Sequence, residues 1–143
     1  MSNETNKTLG HRWADIWNHT NDANAVIDEI VAENFVSHSA PQGLPPGREG
    51  VKIWAAMFRK AFSDIWSRAE DVIVEGDKVV ERFTSGGTHD GEFFGMPPTG
   101  KRGQITGINI FRIENGKVAE HWGNSDDLGL MMQLGAVPAP AVS

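Results

Sequence analysis

TGINIFRIENGKVAEHWGNSDDLGLMMQLG, residues 106–135, runs two strand-like segments, a tight turn and a helix start together. Asn115-Gly116 between alternating apolar residues signals a hairpin. Its strands are Gln104 to Ile113 and Lys117 to Asn124. A helix from Asp126 to Gln133 should follow, stopped by Gly135. The register decides which side chains share a face. A two-residue loop pairs Glu114 with Lys117 and sets Asn109 opposite Trp122. A three-residue loop, with Gly116 left-handed as a bulge, pairs Ile113 with Lys117, Phe111 with Ala119, Asn109 with His121 and Gly107 with Gly123. The second register is preferred because it sorts the side chains better. One face then carries Ile105, Gly107, Asn109, Phe111, Ala119, His121 and Gly123, the character of a pocket lining. The other carries Thr106, Ile108, Ile110, Val118, Glu120 and Trp122, an apolar patch that calls for a cover, most economically a second subunit.

Upstream, the periodicity is helical first and strand-like afterwards. Leu9, Trp13, Ile16 and Trp17 recur on one face of an amphipathic helix, and Val26, Ile27, Ile30 and Val31 make a second stripe. Ser39 to Gly50, with three prolines and three glycines, reads as a loop. Val51, Trp54, Met57, Phe58, Phe62 and Ile65 mark a third helix. From about Glu70, Val72-Ile73-Val74 and Lys78 to Ser85 form a hairpin around Glu75-Gly76-Asp77, with a bulge or bend expected at Gly86-Gly87. Residues 91–103 are a Gly/Pro loop. Its GMPPTGKR, residues 95–102, matches most of a phosphate-loop pattern. Arg102 stands where Ser or Thr is required, and Pro97 and Pro98 lack backbone donors. Three helices, a meandering sheet and a last helix indicate an α+β fold in a single domain spanning 1–143, with a flexible tail over 136–143.

The 143 residues carry a formal net charge of −6 and no clustered Lys or Arg, which argues against nucleic acid. The absence of cysteine removes disulfides and thiolate chemistry. No signal-peptide core and no membrane-length apolar run are seen, so the expected location is the cytoplasm, away from any membrane.

Three stretches carry a family resemblance: GTHDGEFFGMPPTGKR (87–102), the opening segment 106–135, and more loosely ENFVSHSAPQG (33–43). Over roughly residues 8 to 135 the chain resembles the SnoaL-like polyketide cyclases, in their ester-cyclase branch, of the nuclear-transport-factor-2-like superfamily. The resemblance implies a cone of three N-terminal helices over a curved antiparallel sheet, enclosing a ligand cavity and dimerising through the outer sheet face at Ile108, Ile110 and Trp122. It implies cofactor-independent acid/base chemistry, an intramolecular aldol closure by an aspartate on the last strand and a histidine on its neighbour. Ungapped alignment puts that aspartate at Gly123 and that histidine at Asn109, so the chain departs from the family pattern at both positions.

The candidates follow. His121 is the expected proton-transfer residue, since an imidazole titrates near neutrality, although it could equally serve to orient its neighbours. Asn109 is the expected oxyanion donor, or a buried amide paired with His121. His38 and Asp127 are supporting groups, with His38 either at the cavity mouth or in solvent. Asp126 and Asp127 open a helix, where one of them caps it. Arg82 binds a ligand carboxylate or enolate if it points inward, and is a surface charge if it does not. Phe111, Gly123, Trp54 and Phe58 are expected against the ligand. No metal is expected, because two distant histidines carry no ligand spacing. The expected function is a lyase or isomerase acting on a small apolar carbonyl compound. A ligand-binding protein without catalysis, or a hydrolase, dehydratase or hydroxylase on the same scaffold, is the alternative.

Overall fold

The computed structural model describes residues 2–138, so the part of the expected tail at 139–143 lies outside the described residues. The elements are α1 (Asn3–Asp15), α2 (Ala23–Ile30), β1 (Val31–Ser37), α3 (Arg48–Ala61), β2 (Trp66–Glu75), β3 (Lys78–Thr88), β4 (Arg102–Glu114), β5 (Lys117–Ser125) and α4 (Asp127–Gln133). Short polar side chains start three of the helices. Ser2 accepts from the Thr5 amide, Asp22 from Ala25 and Asp126 from Gly129, each satisfying a donor that the first turn leaves free. No helix of the described residues is long and apolar enough to cross a membrane.

The sheet order is β1-β5-β4-β3-β2. β2 to β5 pair antiparallel in sequence, as expected, and β1 adds a parallel edge strand beside β5. That strand was not legible in the sequence. Val31 continues the helical stripe of α2, and it begins the strand instead, buried in the core. The third helix ends at Ala61, so Phe62 and Ile65 enter the core from the connection that follows.

The last hairpin follows neither expected register. Asn115 and Gly116 both have positive φ (51° and 73°) in a two-residue turn that pairs Glu114 with Lys117, the geometry of a type I′ loop. A shift between Arg112 and Ile113 then inserts one residue on β5, so that Phe111 faces His121 and Asn109 faces Gly123. The bulge moves the register by one residue, which restores the expected parity of the faces. Asn109, Phe111, His121 and Gly123 therefore all lie inward. Val118 does not follow the expectation: together with Ala119 it is buried, because a bulge turns two successive residues toward one side. At Gly86 and Gly87 the pairing with β4 is regular rather than bulged. A Cβ at Gly86 would meet the Trp66 indole at 2.8 Å.

One core holds Trp13, Ile16, Ile27, Val51, Val79, Phe111 and Val118, where α1, α2 and α3 meet the sheet. Gly10 lets α1 approach that sheet, since a Cβ there would lie 2.7 Å from the Cγ1 atoms of both Val72 and Val79. Valine side chains cannot swing aside easily. Gly10→Ala is therefore expected to destabilise the protein by about 1–2 kcal/mol, overpacking outweighing the roughly 1 kcal/mol gain in helix propensity. Urea unfolding checks the sign.

Candidate active site

Glu81 on β3, Asn109 on β4 and Gly123 on β5 are successive register partners across the middle of the sheet. His121 lies one inward position from Gly123, opposite Ser37 of β1. These strands align a continuous hydrogen-bond chain. Ser37 Oγ accepts from the amides of Ser39 (3.1 Å) and Ala40 (3.0 Å), which leaves its hydrogen for His121 Nδ1 at 2.8 Å. His121 Nε2–H then donates to Asn109 Oδ1 at 2.8 Å, and Asn109 Nδ2–H donates to Glu81 Oε1 at 2.9 Å. Every donor in the chain points toward Glu81. The chain ends there, since Glu81 Oε2 is buried without a partner.

Burial sets the charge states. Glu81 is 1% exposed and His121 2%. Withdrawal from water disfavours a carboxylate, and it raises Glu81 to about 7 against the opposing hydrogen bond from Asn109. The same burial lowers His121 to about 4, with a smaller contribution from the charge of His38. His121 is therefore a neutral imidazole at physiological pH, held among the rings of Trp13, Phe35, Trp54 and Phe111.

The chain borders a cavity of about 630 Å³, within the range of small-molecule sites. Trp13, Trp17, Trp54, Phe58, Phe83, Phe93 and Phe94 form an aromatic wall. Glu81, Asn109, His121 and Asp127 are among its polar lining, with Ser39, Gln42, Ser67, Ser85, Asn124 and Ser125. A planar apolar ligand fits such walls, and Glu81 is the lining group whose protonation changes near neutral pH.

The structure brings some of the expected residues together and separates others. His121, Asn109, Gly123, Trp54, Phe58 and Asp127 line the cavity. Both His121 nitrogens are engaged, so the free base expected of it is taken up within the chain, while Asn109 commits its oxygen to His121 and one amide hydrogen to Glu81. Asp126 is the helix cap, and Asp127 accepts from Ser125 Oγ at 2.7 Å. His38 faces the other side of the sheet. Its ring stacks on Trp122 at 5.1 Å, and its Nε2 lies 2.7 Å from Glu120, so no pair with His121 forms. Arg82 points outward and binds Asp71 at 2.7 Å, because it alternates with the inward Glu81 and Phe83. Phe111 is fully buried behind His121, in the core rather than in the cavity wall.

Glu81 and Ser37 escaped the sequence reading. Glu81 shares strand parity with Val79 and Phe83, so a lone carboxylate on the inward face was the available signal. Ser37 lies on the strand that the sequence did not reveal.

Comparison with known proteins identifies the family. Residues 7–134 match the family model of the SnoaL-like polyketide cyclases. Nogalonic acid methyl ester cyclase of Streptomyces nogalater is 29% identical over 112 residues, 76% of this chain and 83% of that protein. Aklanonic acid methyl ester cyclase DauD of Streptomyces sp. strain C5 is 29% identical over 113 residues, 76% of this chain and 70% of that protein. The structure of TsrD from Streptomyces laurentii superposes with a TM-score of 0.87 at 28% identity, covering 96% of this chain and 99% of that one. A buried polar chain inside an aromatic cavity, on this α+β frame, belongs to a chain that is a member of the SnoaL-like polyketide cyclase family.

Proposed function

We propose that the protein is a cyclase-type enzyme that removes a proton beside a ligand carbonyl, with Glu81 as acid and base. The carrying observation is a buried carboxyl group on the wall of an aromatic cavity, one oxygen oriented by Asn109 and the other without a partner. A pKa of about 7 lets the same group accept a proton and return it. The ionised carboxylate takes the α-proton, so a C–H bond breaks, an O–H bond forms and the electron pair moves onto the carbonyl oxygen. The enolate carbon attacks a second carbonyl of the same ligand. A C–C bond forms, and the new alkoxide recovers the proton from Glu81. Atoms and electrons balance without a cofactor. His121 and Ser37 act through Asn109, as positioning residues.

The names of the two Streptomyces cyclases supply the first substrates to try. A simpler assay is deuterium exchange at the α-carbon of 2-tetralone, a fused aromatic ketone, followed by NMR. The wild type should accelerate exchange with a rate that climbs as pH passes through about 7. Saturable binding of the ketone without exchange would instead mark a ligand-binding protein.

We infer further that the protein is a homodimer through the outer face of the sheet. Ile108 (50% exposed) and Ile110 (39%) lie there beside Trp122, and such apolar surface is rarely left to water. Sedimentation should give twice the 15.6 kDa chain mass. An Ile108→Asp/Ile110→Asp variant should sediment as a folded monomer, and a wild-type monomer at all concentrations would defeat the inference.

A further inference from the structure

Five buried side-chain polar atoms among the described residues have no hydrogen-bond partner: Asn6 Oδ1, Arg59 Nε, His89 Nε2, Trp54 Nε1 and Glu81 Oε2. Trp54 and Glu81 are the two of these residues that line the cavity. One unpartnered atom is a donor and the other belongs to an acid/base. Both belong to the same region of the site. The Trp54 ring lies 5.9 Å from the His121 ring, and His121 reaches Glu81 through Asn109 alone.

We propose that Trp54 Nε1–H holds the ligand's carbonyl oxygen and the enolate oxygen that develops on it, so that the site selects enolisable aromatic carbonyl compounds. This deepens, and rests on, the reading of Glu81 as the base. Proton removal moves an electron pair onto the carbonyl oxygen, which then needs a donor. In the relay, Ser37 and His121 donate to the next member and Asn109 gives one amide hydrogen to Glu81, whereas Trp54 Nε1–H is a donor on the cavity wall with no protein partner at all. The indole ring is held by its aromatic neighbours before any ligand arrives. Trp54 sits on α3 with its ring edge-on to Trp17 (4.9 Å, 68°) and Trp13 (6.3 Å, 64°). A donor fixed in advance in an apolar cavity is the arrangement that stabilises developing negative charge. Indole has no acceptor to offer, so a ligand that meets both orphan atoms carries an acceptor oxygen and an acidic hydrogen. An enolisable carbonyl has both.

The test is Trp54→Phe, which keeps an aromatic ring and deletes the donor. Exchange at 2-tetralone should fall about 100-fold in kcat, the scale of losing one oxyanion donor. Calorimetric titration with 2-naphthol, an enol mimic, should show about tenfold weaker binding to the variant. Naphthalene, which has no oxygen, should bind both proteins within about twofold. In the unmodified protein, the Trp54 indole proton resonance should move downfield with 2-naphthol and stay in place with naphthalene. Equal weakening toward both compounds, or an unmoved indole resonance, would overturn the role of Trp54. A wild type that binds 2-tetralone without exchanging it defeats the Glu81 reading instead, and the naphthol measurements still decide whether Trp54 donates to a ligand oxygen.

Discussion

Glu81→Gln is expected to raise stability at pH 8 by roughly 3 kcal/mol while lowering turnover about 100- to 10,000-fold. In the folded protein Glu81 holds its proton up to about 7, while the unfolded chain releases it near the ordinary 4.5. The stability associated with the neutral carboxyl is fully present below 4.5 and is lost as pH rises through about 7. That interval corresponds to roughly 3 kcal/mol. His121 behaves in the opposite sense. Its folded value of about 4 lies below the ordinary 6.5, so its contribution is complete above 6.5 and is lost as pH falls toward 4. Between pH 4.5 and 6.5 the two slopes oppose each other, and their sum in the wild type is nearly flat. Glutamine keeps an oxygen for Asn109 and removes the titration, which unmasks the histidine. Denaturant unfolding across pH 4 to 8 should then show the variant's stability rising with pH and parting from the wild type toward neutrality. A variant that tracks the wild type at every pH would mean that Glu81 ionises normally. A more stable and less active variant is what a destabilised catalytic group predicts.

Gly123→Ala is expected to cost about 3 kcal/mol and to shift the pH dependence of turnover upward. The backbone at Gly123 is not left-handed, so the cost is steric. A Cβ there would lie 2.5 Å from Asn109 Oδ1 and 2.9 Å from His121 Nε2. The methyl group would part the hydrogen bond between those two atoms and displace the amide from Glu81. Asn109 is the partner that lowers the Glu81 pKa, so its displacement carries that value above 7. The same substitution in an Asn109→Ala background should cost less, because the nearer of the two colliding atoms is gone. A thermal-unfolding double-mutant cycle measures the coupling. The catalytic aspartate and histidine that the resemblance implies belong at Gly123 and Asn109, which are direct cross-strand partners. With asparagine at 109, its oxygen occupies the volume that any side chain at 123 requires.

The α+β class, the order of the helices and the faces of β4 were legible because they rest on local repeats: helical stripes, the Asn115-Gly116 turn, and the alternation of Asn109 and Phe111 with Ile108 and Ile110. The Asp126 cap was legible for the same reason. Three things were not. β1 follows α2 without a break, and its short mixed-polarity run has no hairpin turn to announce it. The bulge that buries Val118 with Ala119 arises from pairing across strands. Arg82 drew attention by its charge, whereas Glu81 beside it carries the inward parity.

Local chemistry in the chain thus determined the strands of the two hairpins, the faces of β4 and the start of the last helix. Only the tertiary structure decided that Ser37, His121, Asn109 and Glu81, from four strands, form one directed chain. It alone made the histidine neutral and the glutamate a titrating group near pH 7. The physical reason is that a pKa depends on desolvation and partners, both of which come from residues far apart in sequence. A sequence shows that a carboxylate is present. Folding decides whether water reaches it.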